Sequence, residues 1–224
     1  MIKQFVAVSP VVETPSDERE MPMVFDPFAD LLSAQGSRPR DLEPVDLREL
    51  TPFQRALVSI DGTVTKFIEA YRLDPVESVL LMQQTQTMET DHPWLELPAG
   101  GEVVSRQVLL RGCYSSTIYA YAVSLLVPQR LPAALLQDLA IEPAGIGRVL
   151  LNNQIENRRE ILWYGREHLP QLPEEISRYT GNDFISRTYR IMAQGQPLML
   201  ISEKFPSACP TLVPLASPYR QAVT

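Results

Sequence analysis

The chain has 224 residues, 45% of them hydrophobic, and a formal net charge of −7. That is enough apolar material for the core of one domain. The acidic balance excludes a broad nucleic-acid surface, which needs clustered Lys and Arg to neutralise phosphates, but leaves room for a local basic pocket that takes a small anion.

Six prolines fall in the first 44 residues, among them Pro10, Pro15, Pro22 and Pro27, with Asp17, Glu18, Glu20 and Asp26 between them. Proline removes backbone donors and blocks helix interiors. Residues 1–45 therefore read as an irregular arm with a short helix at Phe28–Ala34, and residues 46–224 as the folded domain. Thr51-Pro52 starts a helix, Thr51 as cap and Pro52 at the first helical position. Phe53, Ala56, Leu57 and Ile60 form its apolar face. Asp61-Gly62 breaks it, and Thr63 caps a second helix anchored by Phe67, Ile68 and Tyr71.

A strand is expected at Ser78–Met82, followed by a polar loop, Gln83–Gly101. Glu102–Leu110 and Ile118–Val127 read as strands joined by a turn at Gly112–Ser116. Pro132–Leu139 and Arg148–Asn152 read as short helices, with Gly145-Ile146-Gly147 leading into the second. Ile161–Tyr164 is the centre of a further strand within Arg159–His168. Ser186–Met192 and Leu198–Lys204 flank Ala193-Gln194-Gly195-Gln196-Pro197, a hairpin signal. The tail, with Pro210, Pro214 and Pro218, reads as loop. Hairpin-linked strands without βαβ alternation define an α+β class with a single antiparallel sheet.

No run approaches the ~18–20 apolar residues of a membrane helix; Ile118–Pro128 is the longest candidate. The amino-terminal stretch meets Pro and acids rather than a small-residue cleavage site, so no signal peptide is read there. A cytoplasmic chain without membrane insertion is expected. Cys113 and Cys209 read as reduced thiols. His92 and His168 lack partners at metal-ligand spacing, and neither CxxC nor HExxH occurs, so no metal site is expected.

GxGxxG, GxxxxGK[ST] and GxSxG are all missing from the sequence. What remains is charge inside apolar strands. Arg106 lies within Ser105–Leu110, Arg187 and Arg190 within Ser186–Ile191, and Glu203 at the end of Leu198–Lys204. Such charges are costly unless paired or used. A plain alternative is an Arg106–Glu203 pair that only holds strands together. Trp94 and Trp163 read as packing, His168 as an exposed strand end, and Glu156–Glu160 as a solvated charge cluster. Tyr114, Tyr119 and Tyr121 read as sheet-face residues, one of them a candidate for lining a pocket.

These same residues resemble the chorismate pyruvate-lyase family. Gly62–Phe67 is similar to its first helical hairpin and Arg106–Leu110 to its Arg-bearing strand. Gly145–Leu151 is similar to its Leu-Gly-Arg turn, and Arg190-Ile191 with Gly195–Pro206 to its closing hairpin. Thr51–Leu57 and Ser186–Ile191 look like the longer branch found in cyanobacteria and mycobacteria. The resemblance implies an antiparallel sheet whose helical hairpins act as flaps over an internal pocket. It implies conversion of chorismate to 4-hydroxybenzoate and pyruvate, for quinones or phenolic acids, without a cofactor. Arg106 would hold the ring carboxylate, the backbone at Val64 and Ile146 would line the ligand, and Glu203 would act near the ring hydroxyl, with Arg106 and Glu203 as the catalytic pair. The short members carry a Gly-Arg pair where this chain has Val123 and Ser124, leaving Arg158, Arg159, Arg187 and Arg190 as substitutes.

Two other readings use the same residues. One is a sensor domain of this fold that binds a small aromatic acid without chemistry; residues 1–45 do not read as the helix-turn-helix such a regulator carries. The other is a related enzyme acting on a different cyclic acid.

Overall fold

The computed structural model describes Phe28 and residues 30–141 and 145–208. The prolines up to Pro27, Cys209 and the tail prolines lie outside these. Among the described residues Cys113 is exposed and free.

Thr51 opens α1, Pro52–Ser59, with a reciprocal capping box: its side chain accepts the Gln54 N–H, and the Gln54 side chain accepts the Thr51 N–H. After a break at Ile60–Thr63 comes α2, Val64–Arg72. Thr63 occupies the cap position there but makes no side-chain cap bond, contrary to expectation. Its side chain instead meets Gly147, where an added Cβ would lie 2.7 Å from Thr63 Cγ2.

Six strands follow: β1 Val76–Thr87, β2 Glu102–Gly112, β3 Ile118–Leu126, β4 Arg158–His168, β5 Asp183–Ala193 and β6 Gln196–Pro206. They form one antiparallel sheet in the order β1-β2-β3-β6-β5-β4. The order amounts to two meanders, β1-β2-β3 and β4-β5-β6, joined where β3 pairs with β6. The β5–β6 turn is two residues, Gln194 (φ 51°) and Gly195 (φ 77°). Positive φ at both central positions is the twist-matched hairpin geometry, which glycine adopts without strain.

α1 and α2 cover one part of the sheet through Phe53, Leu57, Val64 and Ile68, packed on Val76, Leu110 and Phe205. Two further helices, α3 Ala133–Ile141 and α4 Ile146–Asn152, cover another. Leu135, Leu139, Val149 and Leu150 pack there on Tyr189, Ile191, Met199 and Ile201. The α+β class with helical hairpins over one sheet is what the sequence led us to expect.

Four local expectations need correction. Phe28–Ala34 is not a helix: its described residues form turns and bends, and a single 3-10 turn sits at Gln35–Ser37. This segment lies along β4, with Ser33 N–H on Ile161 O and Glu43 and Arg166 exchanging backbone bonds at 2.8 Å. Gln83–Thr87 is not loop but the outer end of β1, exposed along its length. A fifth helix, α5 Glu174–Thr180, was not anticipated. Glu156–Glu160 is only partly a solvated face, because Arg190 Nε donates to Glu160 (2.9 Å) and Arg159 Nε is buried. Trp94 and Trp163 pack edge to face at 5.1 Å. His168 is exposed at the end of β4 and meets Asp183 at 2.8 Å.

One buried acid joins the two hairpins on the first half of the sheet. Asp74, 1% exposed, accepts hydrogen bonds from Tyr114 N–H (2.9 Å), Ser115 N–H (3.3 Å), Ser115 Oγ (2.6 Å) and Tyr119 Oη (3.2 Å). Burial pushes its carboxyl up, but the bonds from Ser115, Tyr114 and Tyr119 outweigh it and hold the pKa below the ordinary value. A carboxyl whose folded pKa is depressed stabilises the fold in its ionised form. That contribution is complete above about pH 4 and is lost as pH falls through the lower folded value. Asp74→Asn should cost roughly 2–3 kcal/mol at neutral pH. Denaturant titrations at pH 7 and at pH 3 check this: the gap between wild type and variant must narrow at the acid end. A constant gap would separate the effect from the charge.

Candidate active site

Sheet register brings the site together. Arg106 on β2 pairs with Ser124 on β3, Ser124 with Ile201 on β6, and Ile201 with Tyr189 on β5. The next row runs Val108, Ala122, Glu203, Arg187. Side chains of both rows rise on the face that the helices cover. Ala122 and Ser124 are small, so β3 forms a low floor between taller neighbours. Above it lies a pocket bordered by both helix starts and by residues of all six strands.

Arg106 stands in one wall, only 2% exposed. Its Nε finds no hydrogen-bond partner, and among the described residues the guanidinium has no acid beside it. Burial pushes its pKa down from the ordinary value. An arginine stays charged under any such shift in a protein, so the fold holds an uncompensated cation at the pocket surface. The Arg106–Glu203 pair considered above is not formed.

Glu203, also buried, is held by β5 instead. Arg187 Nε donates to its Oε2 at 2.8 Å and Tyr189 Oη to its Oε1 at 3.2 Å. Arg187 is fully buried, donates through Nη1 to Ile60 O at 2.7 Å and lies over the Tyr189 ring at 5.0 Å. One arginine thus ties Glu203 to the break between α1 and α2. Burial first, then the Glu203 charge, push the Tyr189 phenol well above its ordinary pKa. Tyr189 therefore acts as a neutral donor. It is the tyrosine of the pocket; Tyr114, Tyr119 and Tyr121 do not line it.

The rim consists of the two helix starts. Val64 and Thr65 open α2, and Gly145, Ile146 and Gly147 lead into and begin α4. With Thr63 making no cap bond, the first-turn N–H groups of α2 stay available on the pocket side. Thr63 and Gly147 touch across the gap, a contact that only a residue without a side chain permits. All four positions singled out in the sequence, Val64, Arg106, Ile146 and Glu203, thus border one cavity.

Tyr189 was not singled out from the sequence, and Arg159 on β4 entered only as one of four substitutes. Of the arginines offered as substitutes at the Ser124 position, three are engaged elsewhere. Arg158 is exposed beside Glu160, Arg190 binds Glu160 and Glu96, and Arg187 binds Glu203. Arg159 lines the pocket, and its buried Nε has no partner. Among the described residues no group of three His, Cys, Asp or Glu side chains could hold a metal ion, and no helix is long and apolar enough to cross a membrane.

A sheet roofed by two helical hairpins, with two arginines beneath whose buried Nε atoms find no partner among the described residues, defines an α+β protein with a cationic internal pocket. The model of the Rv2949c-like chorismate pyruvate-lyases matches residues 58–212, and the chain belongs to that family. Among curated relatives, a chorismate pyruvate-lyase of Mycobacterium leprae is 29% identical over 172 residues, covering 74% of this chain and 80% of that protein. One of Mycobacterium tuberculosis H37Rv is 26% identical over 173 residues, covering 73% and 84%. Among solved structures, the effector domain of PhnF from Mycobacterium smegmatis shares the fold, with TM-score 0.52 and 11% identity over 73% of this chain and 91% of that one.

Proposed function

We propose that this chain is a cofactor-independent chorismate pyruvate-lyase, converting chorismate to 4-hydroxybenzoate and pyruvate. The observation that supports the reading is the buried Arg106 with its partnerless Nε, set in the same pocket as an arginine-anchored Glu203. Arg106 and Glu203 stand on strands two places apart, with β3 between them. At ~4.8 Å per strand that is roughly 10 Å across the sheet, room for a six-membered ring over the Ala122–Ser124 floor.

In this reading the Arg106 fork takes the ring carboxylate. The carbinol end of the ring then points toward Glu203 and Tyr189. The carbinol carbon loses its proton, and that C–H electron pair becomes a ring double bond. The neighbouring C–O ether bond breaks, and its electrons leave with the enolpyruvyl oxygen. A proton then ends on the methylene to give pyruvate. Aromatisation drives the step, so the chemistry asks for orientation, exclusion of water and one proton shuttle. Glu203 is positioned for the shuttle, and Tyr189 and Arg187 fix its carboxylate. The amides of Val64 and Ile146 close over the ligand. The product would feed quinone or other phenolic biosynthesis in the cytoplasm.

The test is to mix purified protein with chorismate, without added metal or nucleotide, and to separate the products by chromatography. Equimolar 4-hydroxybenzoate and pyruvate are expected. Tight binding of 4-hydroxybenzoate without turnover would replace the lyase by a sensor; no binding of either compound would remove the substrate assignment.

A further inference from the structure

We infer that Arg159 is the anchor for the second carboxylate of the substrate, the one on the enolpyruvyl side chain, and that it sets the preference for a dianion. This rests on the lyase reading above. Three charged side chains line the pocket, Arg106, Arg159 and Glu203, beside the neutral phenol of Tyr189. Arg187 offsets Glu203 at 2.8 Å, so the charge left facing a ligand is that of two guanidinium groups. Neither has an ion-pair partner among the described residues, and each has a buried Nε without an acceptor. A single carboxylate would satisfy one of them and leave the buried Nε of the other without an acceptor. A dicarboxylate satisfies both.

The two groups are well separated. Arg106 is on β2 and Arg159 on β4, four places apart in the sheet. Arg159 pairs in register with Ile191, one row beyond the row shared by Arg106 and Tyr189. The cations therefore approach from different walls, and two carboxylates carried on different arms of one molecule match them better than a single anion does. Neighbouring acids do not account for Arg159. Glu160 is bound by Arg190 at 2.9 Å with Arg158 at 3.8 Å, and Glu156 points outward, exposed.

Cleavage then divides the recognition. The aromatic product keeps the carboxylate on Arg106. Pyruvate carries the other away from Arg159. Substrate is held at both ends, and product at one.

The experiment compares Arg159→Gln and Arg159→Lys with wild type. It measures kcat/KM for chorismate, and by calorimetry the Kd of 4-hydroxybenzoate and of chorismate, the latter at low temperature over times short against turnover. A charged hydrogen-bonding contact is worth about 10–100-fold in affinity. Arg159→Gln should lower chorismate binding and kcat/KM by about that factor and leave 4-hydroxybenzoate binding within about twofold. Arg159→Lys, which keeps charge without the fork, should fall between. Unchanged chorismate parameters, or equal losses for both ligands, would overturn the assignment. Retained 4-hydroxybenzoate binding also reports that the pocket is intact. A wild-type protein that binds chorismate but does not consume it would fail the lyase reading, while the ratio of the two affinities would still decide on Arg159.

Discussion

Glu203→Gln should lower turnover of chorismate by about 10²–10⁴-fold, the usual worth of a positioned acid–base group. Gln keeps the size and can still accept from Arg187 Nε through its amide oxygen, with its NH2 donating to Tyr189 Oη in place of the bond that Glu203 accepts. It cannot take a proton from carbon. The substitution also leaves Arg187, which is fully buried, without its counter-charge. Breaking a buried ion pair from one side costs about 3–5 kcal/mol. Unfolding must therefore be measured beside turnover, and 4-hydroxybenzoate binding used to show that the folded fraction is assayed. Near-wild-type turnover in folded variant would remove Glu203 as the proton carrier.

Arg106→Met should do the reverse to stability. Arg106 is a buried cation with an orphaned Nε and no acid within reach among the described residues. Replacing it with an unbranched apolar side chain that can fill much of the same space removes the desolvation penalty. Ligand-free protein should gain about 1–3 kcal/mol. Affinity for chorismate and 4-hydroxybenzoate should both fall about 10–100-fold, because both present a ring carboxylate. Denaturant unfolding and calorimetry on the same sample check the pair of signs. A loss of stability would mark Arg106 as structural, and unchanged affinity would end its binding role. A residue that weakens the empty protein and strengthens the occupied one is the expected signature of a binding group.

Much of this site could be read before the fold was known, because its residues break local rules. Arg106 interrupts an apolar strand, and Glu203 closes one. The β5–β6 turn was legible because Gln194-Gly195 answers a steric demand for positive φ. The capping box at Thr51 and Gln54 was partly legible, since Thr-Pro is a start signal and Gln54 sits three residues on. What escaped was decided by partners distant in sequence. Arg159 was one of four arginines offered but not the one chosen, since it sits in a run of charges that looks solvated and only β4 alternation separates it from exposed Arg158. That Glu203 meets Arg187 rather than Arg106 depends on β5 lying between β6 and β4. The outer end of β1 was missed because an exposed edge strand buries nothing, so Gln83–Thr87 shows no apolar alternation. α5 was missed because seven residues give barely two turns of pattern.

The sheet is two meanders stitched at a single seam, β3 against β6. Each meander is built from neighbours in sequence and can zip locally, but the seam must close a loop running from Leu126 to Met199. Arg106 belongs to the first meander; Arg159, Arg187, Tyr189 and Glu203 belong to the second. Neither half carries the whole candidate site, and a dianion held as proposed would act as a clasp across the seam. Occupancy and docking of the halves would then be one equilibrium viewed from two ends. A variant that loosens the seam would lose its ligand before it lost its strands.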